Sequence, residues 1–132
     1  MKITIPVESD GMTIALRMGH APSFAVYVVT GDQIIEEGLF PNEHAGHHHH
    51  DKAEGHHHLS GDDKDAVHEH RRQLGVIKEC DAVLVRGVGP SMKAALLEEG
   101  VKIFRAKKSL GSEAMVLIQQ FKDNSNSFIE ER

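Results

Sequence analysis

Apolar and polar positions alternate with a two-residue period early in the chain and with a helical period late in it. Lys2 to Val7 (Lys-Ile-Thr-Ile-Pro-Val) is a short β-branched run that closes around a proline. Ser23 to Thr30 (Ser-Phe-Ala-Val-Tyr-Val-Val-Thr) is the strongest strand pattern of all. Gly31-Asp32 supplies a tight turn after it, and Gln33 to Phe40 reads as the returning strand of a hairpin. Glu8 to Pro22 is a long connection, and long connections in compact domains are often functional.

After residue 61 the pattern changes to helix and strand in turn. Asp62-Asp63 can cap a helix to about Leu74, with Ala66, Val67, His70 and Leu74 on one stripe. Ala82 to Arg86 is a short apolar strand. A helix from Pro90 to Glu99 follows, with proline at its first position and Gly100 after its last. Val101 to Phe104 is another strand. Ser112 can cap a final helix with Ala114, Leu117, Ile118 and Phe121 on one face. Asn124 to Arg132 reads as a frayed polar tail. Strand, helix and strand within 82–104 imply parallel strands with a right-handed crossover. With the hairpin and the first strand this predicts one α/β domain over residues 1–132, a five-stranded mixed sheet with flanking helices and one antiparallel strand.

Between the two halves, from about 41 to 61, no apolar period is present. Eight of the fifteen residues from His44 to His58 are histidines: His44, His47, His48, His49, His50, His56, His57 and His58. Neutral imidazole coordinates borderline divalent metals without first losing a proton. The tract therefore reads as a mobile, metal-binding insertion, suited to Zn or Ni. It is internal and interrupted, unlike an expression tag.

Charge and cysteine usage narrow the classes further. Net charge is −5, with 20 acidic against 15 basic side chains, so generic nucleic-acid binding is not expected. A single cysteine, Cys80, excludes an intramolecular disulfide and an all-cysteine cluster site within one chain. No apolar run approaches the ~20 residues of a membrane span, and the opening residues read as a strand, not a signal peptide. The expected compartment is the cytoplasm, with no membrane partner.

Chemistry is then sought at strand ends. Gly87-Val88-Gly89-Pro90 leaves a strand and opens a helix, an arrangement suited to anions. A tight turn that needs small residues is the plainer reading of Gly87 and Gly89, since neither a dinucleotide fingerprint nor a P-loop is complete. Arg17-Met18-Gly19-His20-Ala21-Pro22 offers a guanidinium, a thioether and an imidazole. Arg17 suits an anion; Met18 and His20 suit a soft metal. As a surface loop it is expected to supply no core. Hydrolase motifs of the Gly-x-Ser-x-Gly and His-Glu-x-x-His kinds are absent. Cys80 lies between Glu79 and Asp81, carboxylates that would raise a thiol pKa, so a reactive nucleophile is not expected. Glu8 and Asp10 follow the first strand, but no partner acids for a two-metal nuclease stand at the other strand ends.

Several segments together resemble the dinitrogenase iron–molybdenum cofactor biosynthesis family over about residues 1–121. They are Met-Lys-Ile-Thr-Ile-Pro-Val at the start, Met18 to Phe24, the His/Gly stretch from Asn42 to His58, Cys80-Asp81-Ala82-Val83-Leu84-Val85, and Gly87 to Ser91 leading to Glu99-Gly100-Val101-Lys102-Ile103. The resemblance implies a ribonuclease H-like fold with strand order 3-2-1-4-5. It also implies a small carrier of iron–sulfur or molybdenum-containing clusters, not an enzyme, that works with a cofactor-assembly or acceptor protein. The family pattern His-Phe-Gly-Arg-Ala-Pro is altered here: Arg17 holds the histidine position and His20 the arginine position. Two functions are thus expected. One is a cytoplasmic carrier holding a metal-sulfide cluster or metal ion between the loop of Arg17, Met18, Gly19 and His20, the loop of Gly87 and Gly89, and the mobile His tract. The alternative is a divalent metal-ion buffer or sensor built on the His tract.

Overall fold

A computed structural model describes residues 1–42, 75 and 77–132. The helix expected over 62–74 and every histidine from His44 to His58 lie outside these residues. The described strands are β1 (Lys2–Val7), β2 (Ser23–Thr30), β3 (Gln33–Pro41), β4 (Ala82–Val85), β5 (Lys102–Arg105) and β6 (Ile129–Glu131). The described α-helices are α1 (Pro90–Glu98) and α2 (Ala114–Asp123). They form one mixed sheet in the order β3-β2-β1-β4-β5-β6. β1 runs antiparallel to β2 and parallel to β4, and β4 is parallel to β5.

The expected order 3-2-1-4-5 is present, but the sheet has a sixth strand. β6 pairs antiparallel with β5 through Ile103–Glu131, Phe104–Glu130 and Arg105–Ile129. The segment read as a frayed tail is therefore anchored. Its anchor is Phe128, 6% exposed, whose ring meets Phe121 edge-on at 5.2 Å. Phe121 in turn meets Phe104 at 4.9 Å. One aromatic in a polar segment carries no period, yet its burial against the Phe121 ring orders the whole segment.

Core packing follows strand alternation. Ile3, Ile5 and Val7 of β1, Ala25 and Tyr27 of β2, and Ala82 and Leu84 of β4 pack under Ala114, Leu117, Ile118 and Phe121 of α2. Val83 and Val85 of β4 and Ile103 of β5 pack on the other face against Met92, Ala95 and Leu96 of α1. All four β4 residues are buried, as expected of a parallel strand covered on both faces. Gly100 ends α1 at φ +79, and the N–H groups of Gly100 and Val101 donate to the carbonyls of Leu97 and Leu96. That is the Schellman arrangement, which a glycine at this position favours. The cap of α2 is Glu113, not Ser112; no side chain bonds to that end, and the Ser112 carbonyl accepts the Ile14 N–H.

Two expectations about stability follow. Phe128→Ala should cost roughly 3–5 kcal/mol and lower Tm by on the order of 10 °C, read by thermal unfolding; a change under about 1 kcal/mol would return the segment to a frayed tail. Tyr27 is 3% exposed, and burial first, then the Glu36 charge, push its hydroxyl from 10.0 to about 12. The unfolded chain loses this proton near pH 10, while the folded chain holds it to near 12. Stability present below pH 10 should thus fall as pH rises toward 12. Tyr27→Phe should flatten that alkaline decline in urea titrations, and an unchanged slope would assign it to other groups.

Candidate functional site

The site begins with a proline inside a central strand. Lys2, Thr4 and Pro6 share one edge of β1 by alternation, and that edge faces β4, since the Asp81 N–H donates to the Lys2 carbonyl at 2.8 Å. The β1–β4 register covers only Ile3–Ala82 and Thr4–Val83. Pro6 has no N–H to continue it. Instead its carbonyl accepts the N–H of Ala15 at 2.9 Å, and the Gly87 carbonyl accepts the N–H of Met18 at 3.0 Å. Residues 15–18 are therefore wedged between the C-terminal ends of β1 and β4. Such a divergence at the carboxyl ends of parallel strands is where open α/β sheets place ligands.

The wedge corrects one expectation. The Arg17–Pro22 loop does supply core: Met18 and Ala21 are 0% exposed and pack with Phe24, Val83, Val85 and Met92. The Met18 thioether is thus enclosed in the core and presents no surface to a ligand. Arg17, Gly19 and His20 lie outside it, and the Arg17 and His20 side chains are exposed. Met18–His20 forms a single 3-10 turn, closed by the Ala21 N–H on the Met18 carbonyl at 3.2 Å.

The two glycines differ in kind. A Cβ on Gly87 would stand 2.9 Å from the Leu16 carbonyl oxygen, so only glycine lets the two loops meet here. Gly89 has φ −73 and open space around it, so its backbone does not demand glycine. Gly89 is the N-cap of α1, Pro90 follows, and no side chain caps this helix end. The first-turn amides and the positive end of α1 thus lie two residues from the loop contact at Gly87.

Three further residues shape this edge, of which the sequence pattern had weighed only Asp10, as a nuclease acid. Asn42, 7% exposed, donates from Nδ2 to the Ala21 carbonyl at 2.8 Å and from its N–H to the Pro22 carbonyl at 2.9 Å. Arg86 donates to the carbonyls of Ala106 and Gly111, joining the end of β4 to the approach to α2. Asp10 accepts from the Thr13 hydroxyl at 2.6 Å and from the N–H groups of Thr13 and Met12. These bonds, the Thr13 hydroxyl first, lower its pKa. Asp10 is therefore committed to turning the loop after β1. No local signal marks Asn42, because its side-chain acceptor lies 21 residues away in the chain.

The donor set limits what can bind. Cys80 is buried before β4, with Sγ 2.8 Å from the Thr4 hydroxyl. Burial, more than the flanking charges, pushes its thiol pKa up. Among the described residues, no three His, Cys, Asp or Glu side chains gather into a metal site. The loop pair offers one imidazole, one guanidinium and backbone amides. That set fits a preassembled anionic cluster carried as cargo, and does not fit a cluster built on cysteine ligands.

A family model described as dinitrogenase iron-molybdenum cofactor matches residues 1–123. The chain belongs to the dinitrogenase iron–molybdenum cofactor family. Solved structures give the same fold at low identity. A provisionally named dinitrogenase of Methanocaldococcus jannaschii is 13% identical, with TM-score 0.63, covering 99% of this chain and 94% of that one. The apo form of the orange protein from Desulfovibrio gigas is 19% identical, with TM-score 0.63, covering 98% and 92%. A Thermotoga protein provisionally named NifB is 14% identical, with TM-score 0.58, covering 98% and 91%. A search of curated proteins finds no match. As a member of this family, the chain stands in relation to a metal-sulfide cofactor. No helix among the described residues is long and apolar enough to cross a membrane.

The loop geometry makes a prediction. Gly87→Ala should lower the urea midpoint, because its Cβ would force the Leu16 carbonyl away, whereas Gly89→Ser should be neutral or stabilising, because serine can cap α1. Equal effects of the two would show that the loops do not meet as described.

Proposed function

We propose that this protein is a non-enzymatic carrier that holds an anionic metal-sulfide cluster, iron–sulfur or molybdenum-containing, on the joined loops. The observation that supports this reading is the wedge of residues 15–18, tied to Pro6 and to Gly87, which leaves Arg17 and His20 exposed on a loop fastened two residues before the N-cap of α1. The family match over residues 1–123 supports a cofactor role. In this reading His20 supplies one imidazole ligand. Arg17 and the α1 amides meet the negative charge, and Gly19 leaves the backbone open to close approach. Met18 acts beneath the site, as the core anchor of the turn, and Gly87 permits the loop contact. Release goes to a cofactor-assembly or acceptor protein.

A second ion-binding role is proposed for the His tract, on its composition alone. His44, His47 to His50 and His56 to His58 would supply imidazoles for divalent ions such as Zn or Ni, as a buffer or sensor.

Reconstitution with ferrous iron, sulfide and molybdate tests the carrier reading. The loaded protein should absorb in the visible. His20→Ala should lose most of that band while melting as the parent does, since an exposed side chain contributes little to stability. Full occupancy in His20→Ala, with the band lost instead on removing residues 45–58, would move the cluster to the tract.

A further inference from the structure

The Met18–His20 turn is fastened at both ends, and the two fastenings come from different parts of the sheet. On the β4 side, the Gly87 carbonyl accepts the Met18 N–H at 3.0 Å. On the hairpin side, Asn42 supplies two rungs. Its N–H to Pro22 at 2.9 Å carries the β2–β3 ladder one step past Ser23–Pro41. Its Nδ2 then reaches the Ala21 carbonyl at 2.8 Å, one residue from His20. Ala21 is wholly buried, so this carbonyl depends on partners within the protein. Asn42 is one of two buried polar residues among those described, the other being Thr4.

We infer that Asn42 is a positioning residue for the cluster site: its amide fixes the backbone that carries His20, and so sets the direction in which that imidazole is offered. The inference rests on the carrier reading above. The chemistry is that of an outer hydrogen bond that orients a ligand without touching the cargo, as a partner group does for a metal-bound histidine. Asn42 does this through the main chain. The 3-10 turn transmits it, because a hydrogen bond at each end of a three-residue turn leaves little freedom between them. Asparagine suits the place because it combines a side-chain donor with a backbone N–H at the end of a strand. Serine at the same position keeps the N–H but falls short of the Ala21 carbonyl.

The test uses the full-length chain, loaded with ferrous iron, sulfide and molybdate and then competed with a chelator. Asn42→Ala and Asn42→Ser are compared with His20→Ala, and urea midpoints are measured alongside. Asn42→Ser is included because it keeps the Pro22 rung and a small polar side chain, and so protects the fold. If Asn42 positions the turn, the folded Asn42→Ser protein should hold cluster about 10- to 100-fold more weakly, with a shifted visible band. Asn42→Ala should do the same in its folded fraction. If Asn42 only stabilises, both variants should lower the urea midpoint while the folded protein binds and absorbs as the parent does; that result overturns the inference and leaves the carrier reading standing, provided His20→Ala has lost the band. If His20→Ala also keeps the band, the carrier reading itself has failed at this loop, and the inference falls with it.

Discussion

A missing hydrogen-bond donor in the middle of the sheet governs this protein. β1 is the central strand, paired on both edges and buried on both faces. A proline there costs a ladder bond, and prolines in sheets are confined to edges, strand starts and bulges. Pro6 is tolerated because the β1–β4 register has already ended at Thr4–Val83. The two strands part, and the chain fills the gap with its own residues 15–18, held by Pro6 on one side and Gly87 on the other. The long connection after β1 is thus a built part of the sheet's upper edge.

The consequences spread outward from that gap. Met18 and Ala21 complete the core under α1, so the loop cannot drift without opening the interior. Gly87 must lack a Cβ because the Leu16 carbonyl comes so near. Arg86, next to it, commits its guanidinium to the Ala106 and Gly111 carbonyls ahead of α2. What is left facing outward is small: an imidazole, a guanidinium and a helix start. In the proposed carrier role, such a set would hold an anionic cluster by charge and a single imidazole bond.

The single thiol precedes β4, at the end of that strand opposite Gly87, and its surroundings fit that division. Thr4 Oγ1 and Cys80 Sγ are bonded in the interior, and burial disfavours the thiolate that metals and electrophiles require. Lys2, whose pKa is raised mainly by its hydrogen bond to Glu37, lowers the thiol pKa slightly but does not outweigh burial. Cys80 is a core residue, in keeping with its position just before a strand buried on both faces.

Much of this was legible in the residues. Two-residue alternation gave β1, β2 and β3, and a four-residue apolar run gave β4, because burial of side chains on known faces leaves a local record. Pro90 and Gly100 bracketed α1 for similarly local reasons, one fixing φ and the other accepting φ +79. The parallel crossover of β4 and β5 followed from the strand-helix-strand pattern, the order of the first five strands came only with the family resemblance, and residues 17–20 and 87–89 were marked as the chemical edge. The tertiary structure alone decided the rest. β6 exists because Phe128 packs on Phe121, which itself meets Phe104 of β5, and the chain then pairs with β5, a long-range pairing that no local pattern encodes. Met18 became core and not ligand, Gly87 and not Gly89 became the required glycine, and Asn42 became a fastening. Each of those outcomes depends on which backbone comes within about 3 Å of another, and such distances are set only when β1 and β4 have parted and the chain has closed the gap.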